Sequence, residues 1–276
     1  MRTGRMQTTT NDFLSEYDKG FLNELAGSIA DFYCPRGVVN PEVIAEKCKI
    51  SYNYSEYGDS YDGLIEHLNG KFHIFINIER LQHAFSDRAR FTFAHELGHY
   101  FIDTHRNSLL QGMSPSHGSF TGFVRKNRAE RQADYFASCL LLPEERFVKD
   151  CNRRKFSFKI LQELSKKYQV SISATSLRFC AIGNHPIMVV YSFKGKIKWH
   201  WNSNDFPYWK LKHGKEKLPE DTVAGEYFQL FRKPLTTQTV FAMDWFDNVW
   251  DSHTHRKFYE HCICQQDHAL SIIWED

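Results

Sequence analysis

Residues 91–102 read FTFAHELGHYFI, and the pentapeptide His95-Glu96-Leu97-Gly98-His99 inside them decides how the rest of the chain is read. Ser86-Asp87 just upstream supplies an N-cap, so the stretch is predicted to be a helix of about four turns carrying Phe91, Ala94, Leu97, Gly98 and Phe101. Positions four apart on a helix share a face, so His95 and His99 can offer ring nitrogens to one metal ion. Zinc suits such a site, because it accepts imidazoles and a carboxylate at about 2.0–2.2 Å and keeps a fourth position for water. Glu96 lies about 100° round the helix from His95, beside the metal rather than on it. From there its carboxylate could take a proton from a metal-acidified water. The ordinary alternative is a helix with two solvated histidines and a glutamate. The apolar surround argues against it, since unpaired imidazoles in a packed helix would be poorly satisfied.

The third ligand has two candidates. His105 stands at the eleventh position counted from His95, the metzincin spacing HExxHxxGxxH. That pattern uses a glycine at the eighth position to turn the chain, and here the eighth is Ile102, a β-branched residue that disfavours a left-handed turn. If the helix instead runs on, His105 is about 80° off the direction of His95 and further along the axis. Glu130, in Glu130-Arg131-Gln132-Ala133-Asp134, is the better candidate. A second helix packed antiparallel to the first would offer Glu130 as ligand and Asp134 one turn later to accept the far N–H of a ligand histidine. Small residues at Ala133 and Ala137 would let the two helices approach closely. Taken alone, Glu130 and Asp134 would read as a solvated acidic face; the joint occurrence with the upstream motif carries the argument.

HELGH followed by ERQADYFASCLLLP (130–143) resembles the ImmA/IrrE family of zinc metallopeptidases. The hairpin before the motif helix and the helical stretch LSKKYQVSISATSLRF (164–179) are similar to that family as well, so the resemblance covers roughly residues 20–183. It implies a zincin-like, gluzincin-type site with His95, His99 and Glu130 as zinc ligands and Glu96 as catalytic base. It also implies a substrate class: many members cut a helix-turn-helix transcriptional repressor in a DNA-damage, stress or mobile-element response. A donor to the reaction's oxyanion is expected too, and Tyr100 and His105 are the candidates.

Working outward, apolar residues at helical spacing from Asp12 to Tyr33 predict a packed helix, and Asn40-Pro41 opens a second over 41–48. Asp62–Leu68 and Lys71–Asn77 flank Asn69-Gly70, the pair that favours a two-residue type I′ hairpin turn. An exposed strand at 71–77 could take an extended substrate by strand addition. The stretch 107–122, rich in Ser, Gly and Pro, reads as a loop that could cover the cleft. A helix is expected from about Lys126 to Leu142, and two short ones over 156–182. After Gly183 runs such as IMVVYSF, KIKWHW, QTVFAMDWF and HALSIIW read mostly as strands. The expectation is an α+β protein. A zincin-like peptidase domain over 12–183 would include the helix-turn-helix-like pair 156–182, and a mainly β domain over 184–276 would be a sensor or ligand-binding domain.

The 276 residues are 42% hydrophobic and 25% charged, which supports packed cores rather than disorder. Lys+Arg 35 against Asp+Glu 33 gives +2, excluding a histone-like or polyanionic chain. No apolar stretch approaches the roughly 18 residues needed to cross a bilayer, and the start MRTGRMQTTTNDF has no apolar core for a secretory signal. Seven scattered cysteines do not form a disulfide framework, so reduced thiols in the cytoplasm are expected.

Competing features point to a different class, a DNA-binding or nucleic-acid-sensing regulatory module without peptidase activity. The pair 156–182 has a basic approach (Arg153, Arg154, Lys155, Lys159, Lys166, Lys167), although its apolar residues suffice to explain packing. Lysines 194, 196, 198, 210, 212, 215 and 217 interleave with Trp199, Trp201, Phe206, Tyr208 and Trp209, a pattern that could track single-stranded nucleic acid. The alternation in KIKWHW fits an ordinary hairpin equally directly. His253, His255, His261, Cys262, Cys264 and His268 cluster near the end, without the spacing of a metal knuckle.

Overall fold

The structure is a computed structural model that describes residues 14–112, 119, 127–212, 214, 217–231, 234 and 236–275. In chain order it contains α1 (Glu16–Tyr33), α2 (Pro41–Lys47), β1 (Ser51–Ser55), β2 (Gly63–Leu68), β3 (Lys71–Asn77), α3 (Ile78–Leu81), α4 (Asp87–Phe101), α5 (Asp103–Leu110), α6 (Arg128–Leu141), α7 (Glu144–Cys151), α8 (Phe158–Tyr168) and α9 (Ile172–Ile182). Then come β4 (Ile187–Phe193), β5 (Lys196–Asn202), α10 (Val223–Leu230), β6 (Gln238–Phe241), α11 (Ala242–Trp245), β7 (Lys257–Gln265) and β8 (His268–Trp274). Packing divides this mixed α+β chain into two compact units, Met1–Phe147 with Ser165–Ser171, and Val148–Leu164 with Ile172–Asp276. Most of the helical pair clusters with the β-rich unit, through residues such as Phe156, whose ring packs on Trp274.

In the first unit the sheet order is β1-β3-β2, with β1 parallel and β2 antiparallel to β3. Asn69 (φ 51°) and Gly70 (φ 77°) both take the left-handed region that the Asn-Gly pair predicts, and Leu68 sits opposite Lys71 across a two-residue turn. Strand 71–77 is therefore the centre of the sheet. It has no free edge for a substrate, contrary to the expectation, because β1 (SYNYS), polar and short, supplies an unforeseen parallel neighbour.

Ser86 caps α4 by accepting from the Ala89 N–H, and Asn127 caps α6 by accepting from Glu130 N–H. α6 packs against both α1 and α4, burying Ala133, Phe136, Ala137 and Leu140. At the α4–α6 crossing Gly98 faces Ala133 so closely that a Cβ on Gly98 would lie 3.2 Å from the Ala133 Cα. The chain breaks at Ile102 (φ −80°, ψ 110°) and begins a new helix, α5. Residues 107–110, expected to be loop, are thus helical, and the remainder of the expected cover, apart from Gln111, Gly112 and Ser119, lies outside the described residues.

The second unit holds an antiparallel sheet of order β5-β4-β8-β7-β6. Its core gathers Met188, Val190, Ile197, Trp245, Phe258 and Ile273. Glu260 is fully buried there. It accepts from Val223 N (2.9 Å), Ala224 N (3.1 Å), Trp245 Nε1 (2.8 Å) and Ser271 Oγ (2.6 Å), tying the start of α10 to β7 and β8. The run QTVFAMDWF, read as a strand, is β6 for four residues and then α11, where the Asp244 side chain accepts from Phe241 N at 2.7 Å and turns the chain.

Candidate metal centre

α4 places His95 and His99 on one face, and α6 brings Glu130 and Asp134 to them, with Ala133 between at the Gly98 crossing. His95 Nε2 lies 3.2 Å from His99 Nε2 and 3.3 Å from Glu130 Oε2, while His99 Nε2 lies 3.3 Å from Glu130 Oε1. Two atoms bonded to one ion at about 2.0–2.1 Å with a tetrahedral angle stand about 3.3–3.4 Å apart. The two imidazole nitrogens, and each of them with the Glu130 oxygen it faces, therefore stand at about the spacing of two ligands on one ion, and these residues could hold a metal ion. Asp134 Oδ1 accepts from His95 Nδ1 at 2.9 Å, which turns the other nitrogen, Nε2, towards the shared point.

The electrostatics describe a site short of positive charge. Burial disfavours an imidazolium at His95, but hydrogen bonds to Asp134 and Glu130 outweigh it and push its pKa up to about 10. Burial raises Glu130, yet the bonds to His95 and His99 hold its carboxyl far below the usual range. A proton on the histidines and a cation among them answer the same demand, so metal binding here would release protons.

Glu96 is also buried, and burial pushes its pKa up. It does not join the ligand cluster; its Oε1 accepts from the hydroxyl of Ser119. Ser119 itself bridges to Gly63 on β2, donating its N–H to Gly63 O at 2.8 Å. No pattern in the sequence pointed to Ser119 or Gly63.

His105, the rival third ligand, is placed apart from the cluster. Its ring packs 5.1 Å from that of His99, and its Nε2 bonds Gln132 Oε1 at 3.0 Å. Burial lowers its pKa to about 4, so it is neutral. Its Nδ1 is buried and makes no hydrogen bond among the described residues. Tyr100, the other suggested oxyanion donor, packs edge-on against Phe72 and under the Arg106 guanidinium.

The competing features fare differently. In the α8–α9 pair the second helix, ISATSLRFCAI, carries one cation, Arg178, and it is buried, leaving no basic side chain on that helix to reach a phosphate. Of the lysine track, Lys194, Lys210, Lys212 and Lys217 pair with Asp267, Asp247, Asp221 and Glu220, and Phe206 is buried in the core. In the terminal cluster His261 stacks on Phe158 and His268 bonds the Tyr191 hydroxyl. Cys262 and Cys264 share a face of β7 with sulfurs 3.2 Å apart, and no third ligand joins them among the described residues.

Residues 57–179 match the family described as IrrE N-terminal-like domain, a peptidase family. Among curated proteins none matches the sequence. Among solved structures, a Mycobacterium tuberculosis transcriptional regulator is similar, with a TM-score of 0.60 at 13% identity, over 93% of this chain and 76% of that one. At that identity the likeness speaks to fold alone. Among the described residues no helix is long and apolar enough to cross a membrane.

Proposed function

Given that this chain is an ImmA/IrrE family protein through its residues 57–179, we propose that it is a zinc-dependent endopeptidase with a zincin-like, gluzincin-type site. The observation that carries the reading is the cluster of His95, His99 and Glu130, in which the two imidazole Nε2 atoms lie 3.2 Å apart and each lies 3.3 Å from its own oxygen of Glu130. Zinc is the ion whose preferred ligands and geometry this set fits, since two imidazoles and one carboxylate leave a fourth position open. The bound ion would lower the pKa of a water and polarise the scissile carbonyl.

The chain's own residues do the rest. Asp134 holds His95 in the tautomer that presents Nε2. Glu96 acts as general base and then general acid: it takes the attacking water's proton and passes it to the leaving amine nitrogen. Its Oε2 is the oxygen for that transfer, because Oε1 is engaged by Ser119. The outer strand on this side of the sheet is β2, whose edge Ser119 takes at Gly63, so an extended substrate would add along β2 beyond Gly63 rather than to β3.

The substrate we propose is a helix-turn-helix transcriptional repressor cut in a stress, DNA-damage or mobile-element response, in the cytoplasm. Support comes from the family and from a fold shared with a protein named as a transcriptional regulator. The domain reading remains a peptidase domain over 12–183 and a C-terminal domain over 184–276 that senses a ligand. Glu96→Gln tests the mechanism: it should retain zinc and lose cleavage of the repressor by at least about a hundredfold. A Glu96→Gln protein that still cleaves removes Glu96 from the chemistry.

A further inference from the structure

The catalytic assignment uses Glu96 but leaves unexplained why Ser119, far from it in sequence, is locked beside it. Ser119 is held through its backbone: its N–H donates to Gly63 O at 2.8 Å, and its carbonyl accepts from Asp62 N at 2.8 Å and from Gly63 N at 3.4 Å. With the main chain so fixed, its hydroxyl donates to Glu96 Oε1, and its oxygen also lies 3.1 Å from Gly63 O. Both Ser119 and Glu96 are buried. Gly63 makes the approach possible, for a Cβ there would come within 2.7 Å of Glu96 Oε1 and would run into the Thr92 methyl as well.

We infer that Ser119 is a positioning residue for the Glu96 carboxylate. Its hydroxyl, fixed by the bridge to β2, pins Oε1 and so leaves Oε2 as the oxygen that meets the attacking water. A carboxylate on three side-chain torsions, with no donor in a buried site, would sample orientations unable to reach that proton, whereas a single charge-assisted bond selects one. This inference rests on reading Glu96 as the base, and its test is arranged so that the two can fail separately.

Ser119→Ala and Ser119→Thr are compared with wild type in the zinc-loaded full chain. One readout needs no substrate: the side-chain carboxyl ¹³C resonance of Glu96, assigned as the glutamate signal lost in Glu96→Gln. Ser119→Ala should shift that resonance with zinc content unchanged, and Ser119→Thr, which keeps a hydroxyl, should restore it. The other readout is turnover of the quenched peptide that wild type cuts best from a combinatorial library. Ser119→Ala should lower kcat by about tenfold or more while KM stays within about twofold, and Ser119→Thr should recover most of it. An unshifted resonance, or an unchanged kcat in Ser119→Ala, overturns the positioning role. Loss of zinc in Ser119→Ala, or equal loss of kcat in both variants, overturns it in favour of a packing role. If wild type cuts no peptide, the endopeptidase reading fails, and the resonance still decides whether Ser119 holds Glu96.

Discussion

Gly98→Ala sets two familiar effects against each other at the α4–α6 crossing. In an exposed helix the change is stabilising, since alanine is favoured over glycine by about 1 kcal/mol. Here the new Cβ would meet Phe136 Cδ1 at 3.1 Å, Ala133 Cα at 3.2 Å and Ala133 O at 3.3 Å. Comfortable carbon contacts begin near 3.5 Å, and two of the three obstacles are backbone atoms that cannot rotate away. Overpacking of this kind costs about 1–3 kcal/mol, and the rigid obstacles put it in the upper half of that range. The net expectation is a loss of about 1–2 kcal/mol, read as a lower urea midpoint. The relief available is for α6 to move outward by a few tenths of an ångström. Because Ala133 sits between Glu130 and Asp134, that movement would widen the ligand triangle, and zinc affinity should fall about tenfold in a chelator competition. A Gly98→Ala protein as stable as wild type, binding zinc equally well, would refute the close approach of these helices as the device that builds the site.

Other consequences concern different atoms. Asp134→Asn keeps an acceptor for His95 Nδ1 but loses the charge, so zinc should bind about 10–100-fold more weakly in a fold with unaltered far-ultraviolet circular dichroism. Unchanged affinity would show that Asp134 does not orient His95. Glu260→Ala would strand four donors in a dry core, and it should destabilise the second unit by about 3 kcal/mol or more, followed by tryptophan fluorescence in urea. A midpoint equal to wild type would mean that those donors find other partners.

The grouping of the candidate ligands was legible in the sequence because its logic is local. His95 and His99 are one turn apart, as are Glu130 and Asp134, and Ala133 and Ala137 advertise a close helix approach. What joins the two helices is long-range, yet the only long-range inference required was that two amphipathic faces bearing metal-ligand chemistry should meet. Ile102 was informative in the same way: it argued against a glycine-style turn, and the chain there is extended rather than left-handed. Strand order was not legible. Lys71–Asn77 alternates as an edge or a central strand would, and only the parallel pairing with a polar β1, set by tertiary contacts, made it central. Ser119 and Gly63 carried no signal, since a serine in a Ser/Gly-rich stretch and a glycine opening a strand have many ordinary explanations. Glu260 was hidden for the opposite reason: a buried carboxylate inside a strand is rare, and its four donors lie 11 to 37 residues away. The lysine-aromatic pattern was legible as composition, but composition did not show that four of the lysines would face carboxylates.

The central claim is that His95, His99 and Glu130 hold one zinc ion, and it is tested most directly by elemental analysis of the purified chain and of Glu130→Ala. The account predicts about one zinc per chain in wild type and little in the variant, because removing one of three protein ligands undoes the site. Equal zinc in both would contradict it and return His105 to the ligand set; no zinc in either, with metal supplied throughout purification, would contradict the metallopeptidase reading as a whole.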